Sequence, residues 1–262
     1  MYDVIIVGGG PAGLSAALIL GRCRRRVLLC DAGHPRNARS QGVHGFLSRD
    51  GTPPAELLEC AREQLRPYDS VTIRFAKVVD AEQTSQAFAV ILDDGACYTG
   101  SKLLLATGVV DELPAIPDIE KFYGRSVYPC PYCDGWEWRE QPLAIYGRGE
   151  KGSGLSLMLT SWSKDLVLCT DGPAELCRAQ RERLMLQKIP VREEPITGLE
   201  GTEDGLLRSI VFANGKALAR QAMFFNTGAR QRSPLIAKLG CELDEKGRAD
   251  TGDFEESNVP GL

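Results

Sequence analysis

At 262 residues, 43% of them hydrophobic, the chain is long enough for one large domain or two small ones and can bury a substantial core. A formal charge of −4 gives no electrostatic case for nucleic acid, and Arg22-Cys23-Arg24-Arg25-Arg26 reads as a helix end, where cations suit the dipole. Nine cysteines without a secretory spacing, no basic leader and no apolar run of membrane-span length point away from export and insertion and toward a reducing cytoplasm.

Val4-Ile5-Ile6-Val7 is a short, β-branched run of the kind that forms a strand buried on both faces. It enters Gly8-Gly9-Gly10-Pro11-Ala12-Gly13, and residues 14–20 read as an apolar helix, so strand, glycine turn and helix follow in the order of a dinucleotide fingerprint. In such a turn Gly8 allows the tight bend, Gly10 admits a pyrophosphate to the backbone, and Gly13 lets helix and strand pack closely. The N–H groups at the helix start then bind phosphate. The next strand, 27–30, ends at Asp31, roughly 20 residues on, where a carboxylate takes a ribose hydroxyl.

Residues 31–51 are polar and loop-like, with His34-Pro35, Arg36-Asn37 and His44-Gly45, and a loop of that length is more often functional than not. His44 reads either as a neighbour of a redox centre or as a satisfied loop histidine. Residues 53–65 read as a helix with Leu57, Leu58, Ala61 and Leu65 on one side, and 71–79 and 87–92 as strands. Asp93-Asp94-Gly95 is a hairpin-type turn before Tyr98, and Leu103-Leu104-Leu105-Ala106-Thr107-Gly108 is a buried strand ending at a small-residue turn.

Cys130-Pro131-Tyr132-Cys133-Asp134-Gly135 follows. Two cysteines so spaced close a disulfide ring or share a metal, and a thiolate there is a nucleophile. The redox reading is favoured over half a zinc site or a packing pair, because no second CxxC or Cys-His pair completes a four-ligand set, and His34 and His44 lie far upstream. Asp134 suits a proton donor to a departing thiolate or a base for an incoming thiol. Trp136 and Trp138 come next, as shields of the site, as stacking platforms or as packing.

The glycine turn, Ala106-Thr107-Gly108 and the CxxCDG motif occur in the order and approximate spacing of the low-molecular-weight bacterial thioredoxin reductase family, which the chain resembles over essentially its whole length. His34-Pro35-Arg36-Asn37 and His44-Gly45-Phe46 resemble an atypical branch that includes fungal dithiol oxidases. The resemblance implies an α/β fold of two Rossmann-like dinucleotide-binding domains, the second inserted into the first. On this reading 1–112 is the first part of an FAD-binding domain, 113–226 an inserted NAD(P)-type domain carrying the CxxC, and 227–262 the return to the FAD-binding domain.

The chain supports the insertion independently. Leu143-Ala144-Ile145-Tyr146, the turn Gly147-Arg148-Gly149-Glu150-Lys151-Gly152 and the helix-like 153–159 repeat the strand-turn-helix signature. Residues 166–169 form the following strand, 174–186 a helix, 207–220 a hairpin around Asn214-Gly215, and Phe224-Phe225-Asn226-Thr227-Gly228 leads back.

The resemblance further implies a cytoplasmic homodimer that exchanges electrons between FAD, the Cys130/Cys133 pair and a thioredoxin-like protein or small dithiol, with no nucleic acid, membrane or metal. It makes Cys130, Cys133 and Asp134 catalytic, with Cys133 on the flavin side and Cys130 meeting the substrate. The expected cofactor-binding residues are Gly8, Gly10, Pro11, Ala12, Gly13, Asp31, Asn37, His44, Ala76, Thr107, Gly108, Gly147, Gly149 and Gly152.

Two departures bear on what carries over. NADPH-using members hold the 2′-phosphate with a His and paired arginines where this chain has Thr170, Asp171 and Gly172; a carboxylate there repels phosphate and favours a ribose hydroxyl. Arg178, Arg181 and Arg183, further on, read as the solvated face of a helix. NADPH is therefore in doubt, and NADH, another reductant or an oxidase run without nicotinamide becomes plausible. The second departure is at Asn258-Val259-Pro260-Gly261-Leu262, where the chain stops and the family continues into a strand, a Gly-Asp pair at the flavin and a final helix. The alternatives are a small-molecule dithiol oxidase using oxygen and a non-catalytic nucleotide- or metal-binding protein with a structural CxxC.

Overall fold

The N-terminal apolar run forms β1 (Tyr2–Val7) and the turn after it opens α1 (Pro11–Arg22); β2 (Val27–Cys30), α2 (Pro54–Glu63), β3 (Val71–Arg74), β4 (Val78–Gln83), β5 (Phe88–Leu92) and β6 (Cys97–Leu105) follow. They build one six-stranded sheet in the order β3-β2-β1-β6-β5-β4. The strands β3, β2, β1 and β6 are parallel, with Ile5 opposite Leu28 and Leu103, and β5 and β4 are added antiparallel. Both faces of β1 are covered. Ile5 and Val7 pack with Leu28, Phe88 and Val90, and Ile6 packs with Leu14, Ala17, Leu29 and Leu58. Burying such side chains is worth about 1.5–3 kcal/mol each, which is why this short run holds the centre of the sheet.

The expected single strand at 71–79 is two strands. Val71 and Ile73 pack on the face that holds Ile6 and Leu14, and Ala76 and Val78 on the opposite face with Ile5 and Val7, so the alternation runs on while the strand breaks at Phe75, Ala76 and Lys77. The chain uses that break to cross from β3 at one edge of the sheet to β4 at the other.

The chain continues through β7 (Val109–Asp111), α3 (Ile119–Phe122), β8 (Val127–Tyr128), α4 (Pro131–Asp134), β9 (Leu143–Tyr146), α5 (Gly149–Leu159), β10 (Leu166–Cys169), α6 (Arg178–Leu186) and β11 (Val191–Arg192). Next come β12 (Ile196–Gly201), β13 (Leu207–Phe212), β14 (Ala217–Ala219), β15 (Ala222–Phe225), β16 (Ala229–Gln231) and α7 (Leu235–Lys238). A parallel five-stranded sheet runs β11-β10-β9-β15-β8, and β12-β13-β14 form an antiparallel sheet whose second turn is the expected Asn214-Gly215 hairpin. The helix expected from 174 starts at Arg178, because the Gln180 side chain accepts the Cys177 N–H and so caps the helix there. β7 and β16 pair as a two-stranded ribbon.

The computed structural model describes residues 1–252 and 256–262. It divides into two compact units, one of Met1–Ala38, Pro54–Val110 and Ala229–Leu262, the other of Arg39–Pro53 and Asp111–Gly228. The mixed α/β fold thus has a second unit inserted in the first. The divisions after 110 and 228 fall two residues from those expected, but 39–53 goes with the second unit rather than the first. Its contacts explain this: Arg39 donates to the Glu120 carbonyl and His44 faces Glu137. Among the described residues, no helix is long and apolar enough to cross a membrane.

Candidate redox site and nucleotide turns

At the first glycine turn, Gly8 has φ +114° and a Cβ on it would collide with the Ala106 carbonyl, so the turn sits directly against the strand end that leads to Thr107 and Gly108. A Cβ on Gly13 would collide with the Gly8 carbonyl, which keeps α1 close to β1. Gly10 differs: a Cβ there would meet nothing within 4 Å, so its face is open. Gly10 is also the N-cap of α1, with no side chain capping the helix, and Pro11 occupies the first turn. The N–H groups and dipole of a twelve-residue helix thus end at open space, as an anion requires.

Asp31, 9% exposed, lies at the end of β2 beneath Gly9, where any Cβ would run into its carboxylate. Its Oδ1 accepts the Gly33 N–H at 3.0 Å and its Oδ2 faces Arg62 at 3.2 Å. Arg62 comes from α2, lies over the Phe75 ring, and had no signal in the sequence beyond its place on a helix. Asn37 is half-buried in the loop after Asp31, and Ala76 lies in the crossing between β3 and β4.

The second turn repeats the close approach of helix and strand, since a Cβ on Gly147 or Gly152 would press on the other residue's backbone. Here the open end is filled from within. Arg148 donates from Nε to the Thr170 carbonyl at 2.7 Å and from Nη2 to the Asp171 carbonyl. The guanidinium also lies against Gly172 and 4.0 Å from Glu175. Asp171, the acid expected to favour a ribose hydroxyl over a phosphate, accepts the Ile196 N–H on Oδ1 at 2.7 Å and has Oδ2 3.4 Å from the Tyr146 hydroxyl. A carboxylate tied to a backbone N–H anchors β12, and that use was invisible in a stretch reading only Thr-Asp-Gly. Arg178 and Arg181 are exposed and paired with Glu182 and Glu193, as a solvated face requires.

Cys130 and Cys133 are joined by a disulfide, with Cα atoms 5.4 Å apart, on the single turn of α4. Among the described residues no cluster of side chains is arranged to hold a metal. Cys130 is the N-cap, and its sulfur accepts the Cys133 N–H at 3.2 Å. Cys130 is half-buried and Cys133 exposed. Gly135 closes the turn because a Cβ would meet the Pro131 carbonyl and the Trp162 ring, and Trp162 also packs edge-on to Tyr132 at 5.6 Å. Trp162, at the end of α5, is thus a support of the motif that its position 29 residues downstream concealed. Trp138 packs on Tyr128, and Trp136 is exposed under the Arg139 guanidinium.

Burial pushes the Asp134 carboxyl up to about 7, the Glu137 charge adds to the rise, and His44 opposes it. A carboxyl at that value is divided between its acid and base forms at neutral pH, which suits proton transfer in either direction. The buried Cys30 and Cys169 are the opposite case, pushed by burial up to about 11 and about 12, so they stay thiols.

The family model of the pyridine nucleotide-disulphide oxidoreductases matches residues 2–262. The chain belongs to that family. It is 34% identical to thioredoxin reductase sirT of Leptosphaeria maculans over 278 residues, covering 100% of this chain and 85% of the relative. Among solved structures, HlmI superposes with a TM-score of 0.92 at 37% identity, covering 99% of this chain and 82% of that one. An oxidoreductase from Agrobacterium tumefaciens superposes with a TM-score of 0.92 at 33% identity, covering 99% and 87%. The chain is therefore a thioredoxin reductase-like pyridine nucleotide-disulphide oxidoreductase, from a family whose members bind FAD.

In this oxidoreductase the first turn fits FAD on its own geometry: the open face of Gly10 and the uncapped start of α1 are the donor set a dinucleotide phosphate requires, with Asp31 held at the strand end by the Gly33 N–H and Arg62. Gly8, Gly10, Pro11, Ala12, Gly13, Asp31, Thr107 and Gly108 lie together in the first unit. His44, also expected at the cofactor, belongs to the segment 39–53. It lies in the second unit beside Glu137, which no sequence motif had marked.

Proposed function

We propose that this oxidoreductase passes electrons between FAD, the Cys130–Cys133 pair and an external dithiol, either a thioredoxin-like protein or a small molecule. The observation that carries the reading is a CxxC disulfide sharing one helical turn with a carboxyl that titrates near neutrality. FAD, when bound by the residues of the first glycine turn with Asp31, Asn37, Ala76, Thr107 and Gly108, supplies a two-electron carrier. The residues of the chain do the rest. An external thiolate attacks one sulfur of the disulfide, the S–S bond breaks, and the departing thiolate takes the Asp134 proton. A second external thiol then attacks the mixed disulfide, leaving with a disulfide of its own and the protein pair reduced by two electrons. On the division of roles in the family, Cys130 is attacked and Cys133 departs.

The names of relatives such as sirT support a thioredoxin-type partner. The second glycine turn favours the dithiol oxidase reading, in which oxygen takes the electrons: Arg148 and the engaged Asp171 leave Gly147, Gly149 and Gly152 without a ready nicotinamide site. Seven cysteines outside the disulfide fit a reducing compartment, and a homodimer is the assembly proposed.

The test is the purified protein with a flavin spectrum and an assay of dithiol oxidation. Cys130→Ser and Cys133→Ser are each expected to lose turnover with flavin retained, and Asp134→Asn to slow it by about 10²–10⁴. Wild-type turnover in either cysteine variant would make the motif structural.

A further inference from the structure

The turn that carries the disulfide is braced from a second element. Trp162, just beyond α5, lies with the fused edge of its indole against Gly135, where a Cβ would stand 3.1 Å from Cδ2 and Cε2, and it meets the Tyr132 ring edge-on at 5.6 Å. Tyr132 sits between the two cysteines and Gly135 closes the turn behind them, so one ring bears on the middle and the end of α4. The brace is itself fixed. The Glu140 N–H donates to the Trp162 carbonyl at 2.8 Å, the buried Ser163 hydroxyl donates to the Gln141 carbonyl at 2.6 Å, and the indole packs on the core that holds Leu155, Leu159 and Leu184.

Without such a brace the turn has little to hold it. A single helical turn is too short to be stable alone, Gly135 at its end adds backbone freedom, and Tyr132 at its tip is 74% exposed. In the oxidised protein the S–S bond keeps the two Cα atoms 5.4 Å apart. Reduction removes that tie, and two sulfurs that are no longer bonded press apart to van der Waals separation. What then keeps the cysteines within the roughly 4.4–6.8 Å from which a disulfide closes is the turn's own hydrogen bonds and the packing on it. The Asp134 N–H donates to the Cys130 carbonyl at 3.2 Å and the Gly135 N–H to the Pro131 carbonyl at 2.8 Å, and the indole of Trp162 lies against the second of these closures.

We propose that Trp162 is a positioning residue for the Cys130–Cys133 pair: by bearing on Tyr132 and Gly135 it holds the reduced turn near its closed geometry, keeps each thiol at high effective concentration toward the other, and so favours the disulfide form. The proposal rests on the redox role given to the pair under the proposed function. Its effect falls on one redox form. In the disulfide the covalent bond already fixes the turn, so loss of the ring frees mainly the dithiol and shifts the exchange toward it. A ring that served only the packing of the second unit would lower the stability of both forms alike and leave that exchange where it was.

The experiment is equilibration of the purified protein, with its FAD, in buffers of reduced and oxidised glutathione. Two glutathione thiols become one glutathione disulfide, and the Cys130–Cys133 S–S bond takes up their two electrons and two protons. Acid quenching, alkylation and peptide mass spectrometry read the fraction of the pair in each form. Trp162→Leu is expected to move the equilibrium about tenfold toward the dithiol, a rise of about 30 mV in reduction potential, and Trp162→Phe, which keeps a ring, to stay within about twofold of wild type. Tyr132→Leu removes the edge-on contact from the exposed side and is expected to shift the equilibrium the same way by about threefold, with the double variant shifting less than the product of the two. At its exposed position Tyr132→Leu carries the test if Trp162→Leu does not fold. An equilibrium unchanged in Trp162→Leu, or in Tyr132→Leu where that variant alone folds, overturns the role of Trp162, as do shifts that simply multiply in the double variant. Wild-type dithiol turnover in Cys130→Ser or Cys133→Ser overturns the redox reading instead, whatever the glutathione equilibrium shows.

Discussion

In the first glycine turn the residue between the two leading glycines is Gly9, and in the second it is Arg148. Below Gly9 lies the Asp31 carboxylate, leaving no room for a side chain, and the face of Gly10 is open. At the corresponding place in the second turn Arg148 reaches the carbonyls at the end of β10, and the acid of that strand end, Asp171, is turned to Ile196 and Tyr146. Two turns of one pattern thus differ at the helix start: that of α1 is left open, and beside that of α5 the chain's own Arg148 is bonded to the strand-end carbonyls, while both strand-end acids, Asp31 and Asp171, are bonded to the protein. The glycines set the backbone approach in both; the residue between them decides what the turn can bind.

The comparison breaks first at Gly10. Because a Cβ there meets nothing, Gly10→Val is expected to fold normally, with an unchanged circular dichroism spectrum, and to be colourless after purification. Retention of flavin in that variant would put the nucleotide elsewhere. Asp31→Asn tests the acceptor: loss of a charged hydrogen bond to ribose, worth about 1.5–3 kcal/mol, is expected to weaken FAD binding about 10- to 100-fold in a fluorescence titration. The smallest effect sharpens the contrast from the other side. Arg148→Gly removes the guanidinium from the Thr170 and Asp171 carbonyls and is expected to speed flavin reduction by NADH about tenfold, the equivalent of about 1.4 kcal/mol of competing interactions. An unchanged rate in stopped flow would show that Arg148 is not what limits access.

The same contrast explains what could be read from the chain before its fold was known. Val4 to Val7, the spacing of Gly8, Gly10 and Gly13, and the CxxC with Asp134 are local patterns whose chemistry follows from neighbours in sequence, and the structure keeps them as elements. The use of Asp171 depends on Ile196, 25 residues away, and the value of Asp134 is set first by its burial in the fold; neither leaves a periodic trace. The allegiance of 39–53 is hidden for the same reason, since its deciding contacts are to Glu120 and Glu137. The crossing at Phe75 to Lys77 is hidden too, since Val71, Ile73 and Val78 keep one alternation although β3 and β4 lie at opposite edges of the sheet.

The central claim is that electrons enter or leave this oxidoreductase through Cys130–Cys133 rather than through the second glycine turn. Anaerobic titration of the flavin in the purified protein with dithiothreitol, NADH and NADPH tests it most directly. Dithiothreitol is expected to bleach the flavin in wild type but not in Cys130→Ser or Cys133→Ser, and both nicotinamides are expected to reduce it slowly. Fast, saturable bleaching by micromolar NADPH, or bleaching by dithiothreitol that survives loss of either cysteine, would contradict the account.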